Sequence, residues 1–212
     1  DTSEVIFGSS IRNITIIVTD TDEFNVAQVQ IIPEDDWFGE FTVSVFATDE
    51  VYFDHNSFIL ETLPVNDAPS FTHFGNVTAD EDDGTITIEN WATDISMGPS
   101  NEVQLLDQHP TFVLTTDNDG LFTELPAVNE NGTLSYSLVD NANGNASVNI
   151  FMIDNGGTDY DGIDSTSTST FTISVAPVND PVTFIEAITD YSVNEDAGPN
   201  TFDLNNVFTD ID

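Results

Sequence analysis

Oxygen donors dominate the side chains of this 212-residue chain that could do chemistry. Aspartate and glutamate number 39 against a single basic residue, Arg12, for a formal net charge of −38. Carboxylates at this density attract cations, and their mutual repulsion is relieved by high salt or by divalent cations held between clustered acids. A solvated acidic surface explains the total charge equally well, but not the placement of particular acids. Two runs have the composition of cation loops. Asp159-Tyr160-Asp161-Gly162-Ile163-Asp164 alternates aspartates around a glycine, without the terminal glutamate of a helix-loop-helix calcium site; Asp117-Asn118-Asp119-Gly120 is a shorter version. Hairpin turns require the same residue types, and that is the reading we favour for both.

Other chemistries find little support. His55, His73 and His109 lack metal-ligand spacing, and no serine sits in a nucleophile elbow. Acid pairs suited to glycoside hydrolysis are uninformative in so acidic a chain, so no enzyme is expected. With no cysteine there are no disulfides and no thiolate zinc site. The charge excludes the basic face that nucleic acid requires and attraction to anionic membranes. No apolar run reaches transmembrane length. Asn13, Asn76, Asn131 and Asn145 lie in Asn-x-Ser/Thr sequons. Trp37 and Trp91 are expected to pack in cores.

The elements that position these acids are strands. Phe41–Ala47, Leu134–Leu138 and Phe171–Val175 alternate apolar and polar residues with period two; Ala146, Val148, Ile150 and Met152 line one face of another run, as do Ile14, Ile16 and Val18. The runs are short, β-branched or aromatic, and separated by Asn, Asp and Gly, with no sustained helical period, which predicts an all-β chain of sandwiches. The chain also repeats itself. Leu63-Pro64-Val65-Asn66-Asp67-Ala68-Pro69-Ser70-Phe71 returns as Ala176-Pro177-Val178-Asn179-Asp180-Pro181-Val182-Thr183-Phe184, 113 positions later. Each copy is followed by an acidic turn, Glu81-Asp82-Asp83-Gly84 or Glu195-Asp196-Ala197-Gly198, and then by Trp91-Ala92-Thr93-Asp94-Ile95 or Val207-Phe208-Thr209-Asp210-Ile211. Upstream, Gly39 to Asp49 matches Gly144 to Asp154.

At these residues the chain resembles the cadherin-like tandem repeats of bacterial cell-surface proteins and adhesins. The resemblance implies tandem Ig-like, Greek-key β-sandwiches, with calcium held by acidic and amide side chains at the inter-module linkers. A linker Asn-Asp flanked by prolines has a restricted backbone and presents carboxylate, amide and carbonyl oxygens together, which suits an ion taking six to eight hard ligands. Carried over residue by residue, Asn66, Asp67, Asp94, Asp154, Glu34 and Asp36 are implied at the first junction. Glu81, Asp140, Asn179, Asp180, Asp210 and Asp212 are implied at the second. Glu195 matches Glu81, and Asp49, like Asp154, ends a penultimate strand and faces back to the preceding junction. Pro64 and Pro177 stand where such linkers usually carry aspartate, which implies fewer ions per junction.

Three pieces are expected: residues 1–66, an incomplete sandwich lacking its opening strands; residues 67–177, a complete one; and residues 178–212, the opening strands of a further repeat, completed either by a neighbouring copy or by following chain. The implied role is structural or adhesive, in a large extracellular or cell-surface protein or fibre whose partners are neighbouring repeats or further copies. The alternative is a sandwich that binds carbohydrate or a protein ligand, which an exposed aromatic platform would favour.

Overall fold

The computed structural model describes residues 14–20, 27–48 and 51–211. Its contacts divide the chain into two units. One comprises Asp1–Ala68, Gly98–Gln108 and Asn155–Asp164; the other comprises Pro69–Met97, His109–Asp154 and Ser165–Asp212.

The first unit carries two antiparallel pairs. β1 (Ile14–Asp20) pairs with β2 (Ala27–Pro33), Ile14 opposite Pro33, and β3 (Gly39–Thr48) with β4 (Phe53–Thr62), Gly39 opposite Thr62. Period-two alternation puts Phe41 and Val43 on one buried face of β3, and Trp37 meets Phe41 edge-on at 5.8 Å. Most of β4 is exposed. The unit also contains the one α-helix among the described residues, α1 (Ser100–Leu106). Sequence reading anticipates no sustained helix, and two turns are too short to establish a 3.6-residue period. Punctuation marks this helix instead: Pro99 precedes it, and Asp107 ends it at a left-handed φ of 49°.

The second unit contains the sandwich. It runs through β5 (Ser70–His73), β6 (Val77–Asp80), β7 (Thr85–Ile88), β8 (Ala92–Ser96), β9 (Thr111–Thr116), β10 (Phe122–Val128), β11 (Leu134–Leu138), β12 (Gly144–Ile153) and β13 (Ser169–Ala176). One sheet has the order β6-β13-β12-β9, with β6 parallel to β13; the other has the order β10-β11-β7, and β5 pairs with β8. After β9 the chain crosses to the second sheet for β10 and β11, and β12 then returns beside β9, which is Greek-key connectivity. Pro126 breaks the β10 ladder at a register shift, tolerable because β10 is an edge strand.

The predicted inward residues fill the core. Ala146, Val148, Ile150 and Met152 have no measurable exposure, and Leu134, Tyr136 and Phe171 expose 1 % or less. Trp91 is fully buried; its ring N–H donates to the Gly75 carbonyl at 3.2 Å, and the ring lies against His73 and Phe171. Burial on this scale contributes roughly 1.5–3 kcal/mol for each large apolar side chain. Beyond β13, β14 (Thr183–Phe184) pairs antiparallel with β15 (Phe208–Thr209).

Candidate metal centre

Asn66, predicted as a linker ligand, is a buried clamp in the first unit. Its side-chain N–H donates to the Ile163 carbonyl at 2.9 Å, its own carbonyl accepts from the Ile163 N–H at 2.9 Å, and its amide oxygen accepts from Gln108 Nε2. Gly156 makes the clamp possible, because a Cβ there would collide with the Asn66 and Gln108 side-chain amides. The acidic run Asp159–Asp164 therefore has a structural use. It turns at Asp159, where Gly162 N–H donates to the Asp159 carbonyl at 3.1 Å, and delivers Ile163 to Asn66. Asp117 is likewise spent on structure, accepting the Ser147 N–H at 2.7 Å.

The next residue carries the chemistry. The Asp67 N–H donates to Glu102 Oε2 at 3.1 Å, and its carboxyl stands within hydrogen-bond reach of the Asp36 carboxyl, with the charge of Asp35 nearby. Partial loss of hydration, followed by repulsion from Asp36, pushes the Asp67 carboxyl above the usual carboxylate range. Asp36 is held by its backbone. It sits at φ 59° in the turn after β2, where Trp37 N–H donates to the Glu34 carbonyl at 3.3 Å, and its carbonyl accepts from Asn101 Nδ2 of α1 at 2.7 Å. Glu102, also on α1, is buried with 2 % exposure. Gly98 lies beside the pair at φ 118°, a backbone conformation that side-chain-bearing residues rarely adopt. Glu34 is exposed at the same turn.

In the second unit, Glu81 is buried on the turn after β6. Oε1 accepts from the Val178 N–H at 2.8 Å, Oε2 accepts from Asn143 Nδ2 at 2.8 Å, and the Glu81 N–H donates to the Ala176 carbonyl at 3.0 Å. The Val178 and Asn143 donors hold the Glu81 carboxyl below its ordinary range. Asp180 and Asp210 line one cleft with Asn141, Thr183 and Thr209. Asn179 turns its Nδ2 to the Asp180 carbonyl at 2.8 Å, while Asp140 and Glu195 are exposed. The Asp94 carboxylate accepts from Thr72 Oγ1 at 2.8 Å, and Asp154 is buried just past the end of β12. Asp49 and Asp212 lie outside the described residues.

The arrangement thus brings Asp67 to Asp36 and Asp180 to Asp210. Among the described residues, no three acidic or histidine side chains gather at metal-binding spacing. Sequence reading missed Glu102, Gln108, Asn101 and Asn143. An acidic residue three positions beyond Pro99 signals a helix start and could have flagged Glu102. No signal marks Asn143, which acts across 62 positions. His73 is half-buried against the core rings Trp91 and Phe171. Its Nδ1 accepts the Gly75 N–H at 3.1 Å, so Nε2 carries the proton shared with Ser169 Oγ at 2.8 Å, and burial lowers its pKa.

No protein-family model matches the sequence, and no curated protein does. Among solved structures, repeats EC1-2 of human protocadherin-24 superimpose with a TM-score of 0.50 at 16% identity, over 77% of this chain and 82% of that one. The fold is cadherin-like. Mouse protocadherin-24 EC1-3 matches at TM-score 0.47 and 15% identity, over 92% of this chain and 65% of that one. An endo-fucoidan hydrolase of glycoside hydrolase family 107 matches at TM-score 0.33 and 15% identity, over 82% of this chain and 24% of that one. The cadherin-like sandwich buries Trp91, Tyr136 and Phe171, while Phe74 of the same unit is exposed. Among the described residues, no helix is long and apolar enough to cross a membrane.

Proposed function

We propose that this chain is a structural and adhesive repeat segment of a large extracellular or cell-surface protein or fibre, with neighbouring repeats or further copies as its partners and calcium stiffening its linkers. The observation that carries this reading is the Asp67–Asp36 carboxylate pair, directly after the buried linker residue Asn66. Two carboxylates this close repel, which adds to partial desolvation in raising the Asp67 pKa, and a divalent cation converts that repulsion into shared ligation. Asp67 and Asp36 would hold the ion, with Glu102 fixing the Asp67 backbone. At the second linker Asp180, the repeat counterpart of Asp67, shares a cleft with Asp210, the counterpart of Asp94, and these two would hold the second ion. A bound ion supplies charge neutralisation and a fixed linker angle, and no catalytic step is assigned to it.

The test is a thermal melt in chelator, in calcium and in equal magnesium at matched ionic strength. A calcium-specific rise is expected, because a ligand that binds only the folded state stabilises it by mass action, about 2.7 kcal/mol at a hundred times its Kd. Equal rises with both ions would reduce the effect to charge screening, and no rise with either would remove calcium from the account.

A further inference from the structure

Phe74 is the most exposed large apolar side chain among the described residues, at 81%. It stands on the turn between β5 and β6 of the central sandwich, and both flanking strands are paired, β5 with β8 and β6 with β13. The turn itself is firmly held. The Phe74 N–H donates to the Trp91 carbonyl at 2.9 Å, and the Gly75 N–H donates to His73 Nδ1 at 3.1 Å. The Gly75 carbonyl accepts from the Trp91 ring N–H at 3.2 Å, and Asn76 Oδ1 accepts from the Thr172 N–H of β13 at 2.8 Å. A fixed backbone thus presents an aromatic ring to water.

The same turn carries the sequon Asn76-Val77-Thr78. Asn76 and Thr78 are both exposed, and β6, which begins at Val77, is an edge strand. With Oδ1 engaged by Thr172, Nδ2 is the end of the Asn76 amide left for chemistry. The other sequons are placed differently. Asn145 lies within β12, an interior strand between β13 and β9. Asn131 lies on the β10–β11 turn, where the Thr133 N–H donates to Asn129 Oδ1 at 3.0 Å. Asn13 lies outside the described residues. Two positions before these three asparagines stand Asn143, Asn129 and Ile11, whereas Phe74 stands two positions before Asn76.

We propose that Asn76 is an N-glycosylation site whose first sugar stacks on Phe74. The donor is an oligosaccharide activated at C1 by a lipid diphosphate and delivered by a transferase of the secretory route. Asn76 Nδ2 forms the bond to C1, the C1–O bond to the diphosphate breaks, the diphosphate leaves with the electron pair, and a base on the transferase takes the amide proton. Two residues apart, the Cα atoms of Phe74 and Asn76 lie within about 7 Å, so the first sugar reaches the ring. One face of a β-linked pyranose is made of C–H bonds with partial positive charge, which complement the negative face of an aromatic ring. The fixed turn limits the entropy lost in that contact. The glycan covers the ring and adds solubilising bulk at the surface. The inference rests on the extracellular reading but not on calcium.

The experiment compares the full chain made in a glycosylating secretory host with the same chain made in a host without that machinery. Peptide mass spectrometry reads occupancy at each sequon, and thermal melts are recorded for wild type, Thr78→Ala, Phe74→Ala and the double variant. Thr78→Ala closes the sequon while keeping Asn76 and its Thr172 contact. Occupied wild type is expected to melt roughly 4 °C above Thr78→Ala from the same host, after subtraction of the difference between the two unglycosylated chains. With Phe74→Ala that gap vanishes even in the fraction occupied at Asn76. An unchanged unglycosylated melt shows that Phe74→Ala folds. An empty Asn76 in the secreted chain, no gap in wild type, or a gap that survives Phe74→Ala would overturn the proposal. Any of these outcomes alongside an intact calcium-specific melting rise would overturn the glycan site alone and leave the repeat-segment reading standing.

Discussion

Asp67 and Glu81 are both acids of the repeat pattern, and their surroundings drive them in opposite directions. Asp67 is partly desolvated and faces carboxylates, and is raised; Glu81 faces two N–H donors and is lowered. Asp67→Asn should therefore raise the melting temperature in chelator, by removing a like charge, and shrink the calcium-dependent rise; paired melts with and without calcium check both effects. The pH dependence separates the groups further. Glu81 lends stability that is complete above its ordinary value of 4.5 and is lost as pH falls through its lower folded-state value. His73 is also lowered, so the unfolded chain takes up its proton first and stability begins to fall as pH drops through 6.5. Asp67 acts the other way, returning stability as pH falls from its raised value to 3.8. Glu81→Gln should melt lower than wild type at neutral pH, with the difference vanishing in acid. Melts of the two proteins across pH 3–7 test the sign, and a constant difference would exclude the Glu81 contribution.

At the scale of elements, much depends on a few close backbone approaches. Gly132 occupies the β10–β11 turn at φ 79°, its carbonyl accepts the Ala92 N–H at 2.9 Å, and a Cβ there would run into the Ala92 carbonyl. Gly84, at φ 66°, has nothing within 4 Å of such a Cβ. Gly132→Ala should cost at least about 3 kcal/mol, combining left-handed strain with a backbone clash, against about 1 kcal/mol for Gly84→Ala, which adds strain alone. Urea denaturation of both variants measures the difference; equal losses would mean that the Ala92 contact yields freely. The same logic makes α1 an organiser. It carries only seven residues, yet Asn101 and Glu102 fix the backbones of Asp36 and Asp67.

At the scale of the whole molecule, the described residues contrast the closed sandwich of the second unit with the two-stranded pairs of the first. The central core excludes water from both sheets, while similar side chains in residues 183–211 remain exposed. Burial needs two faces. The melt in calcium reads ion ligation at a linker.

The sequence by itself determined the strand content, the inward faces and the internal repeat. Period-two alternation and Asn/Asp/Gly punctuation are local signals, and Phe41, Ala146 and Phe171 sit on the faces they predict. It also singled out Asp67, Asp36 and Glu81 through the resemblance to cadherin-like repeats. Only the tertiary structure decided what each acid does, because that depends on groups far away in the chain. Asn66 became a clamp through Gln108 and Ile163, Glu81 was satisfied by Asn143 and Val178, and Glu102 was brought to Asp67 by a helix too short to leave a periodic signal. Carboxylates look alike in sequence; the donors and charges that fold around them set their charge state and use.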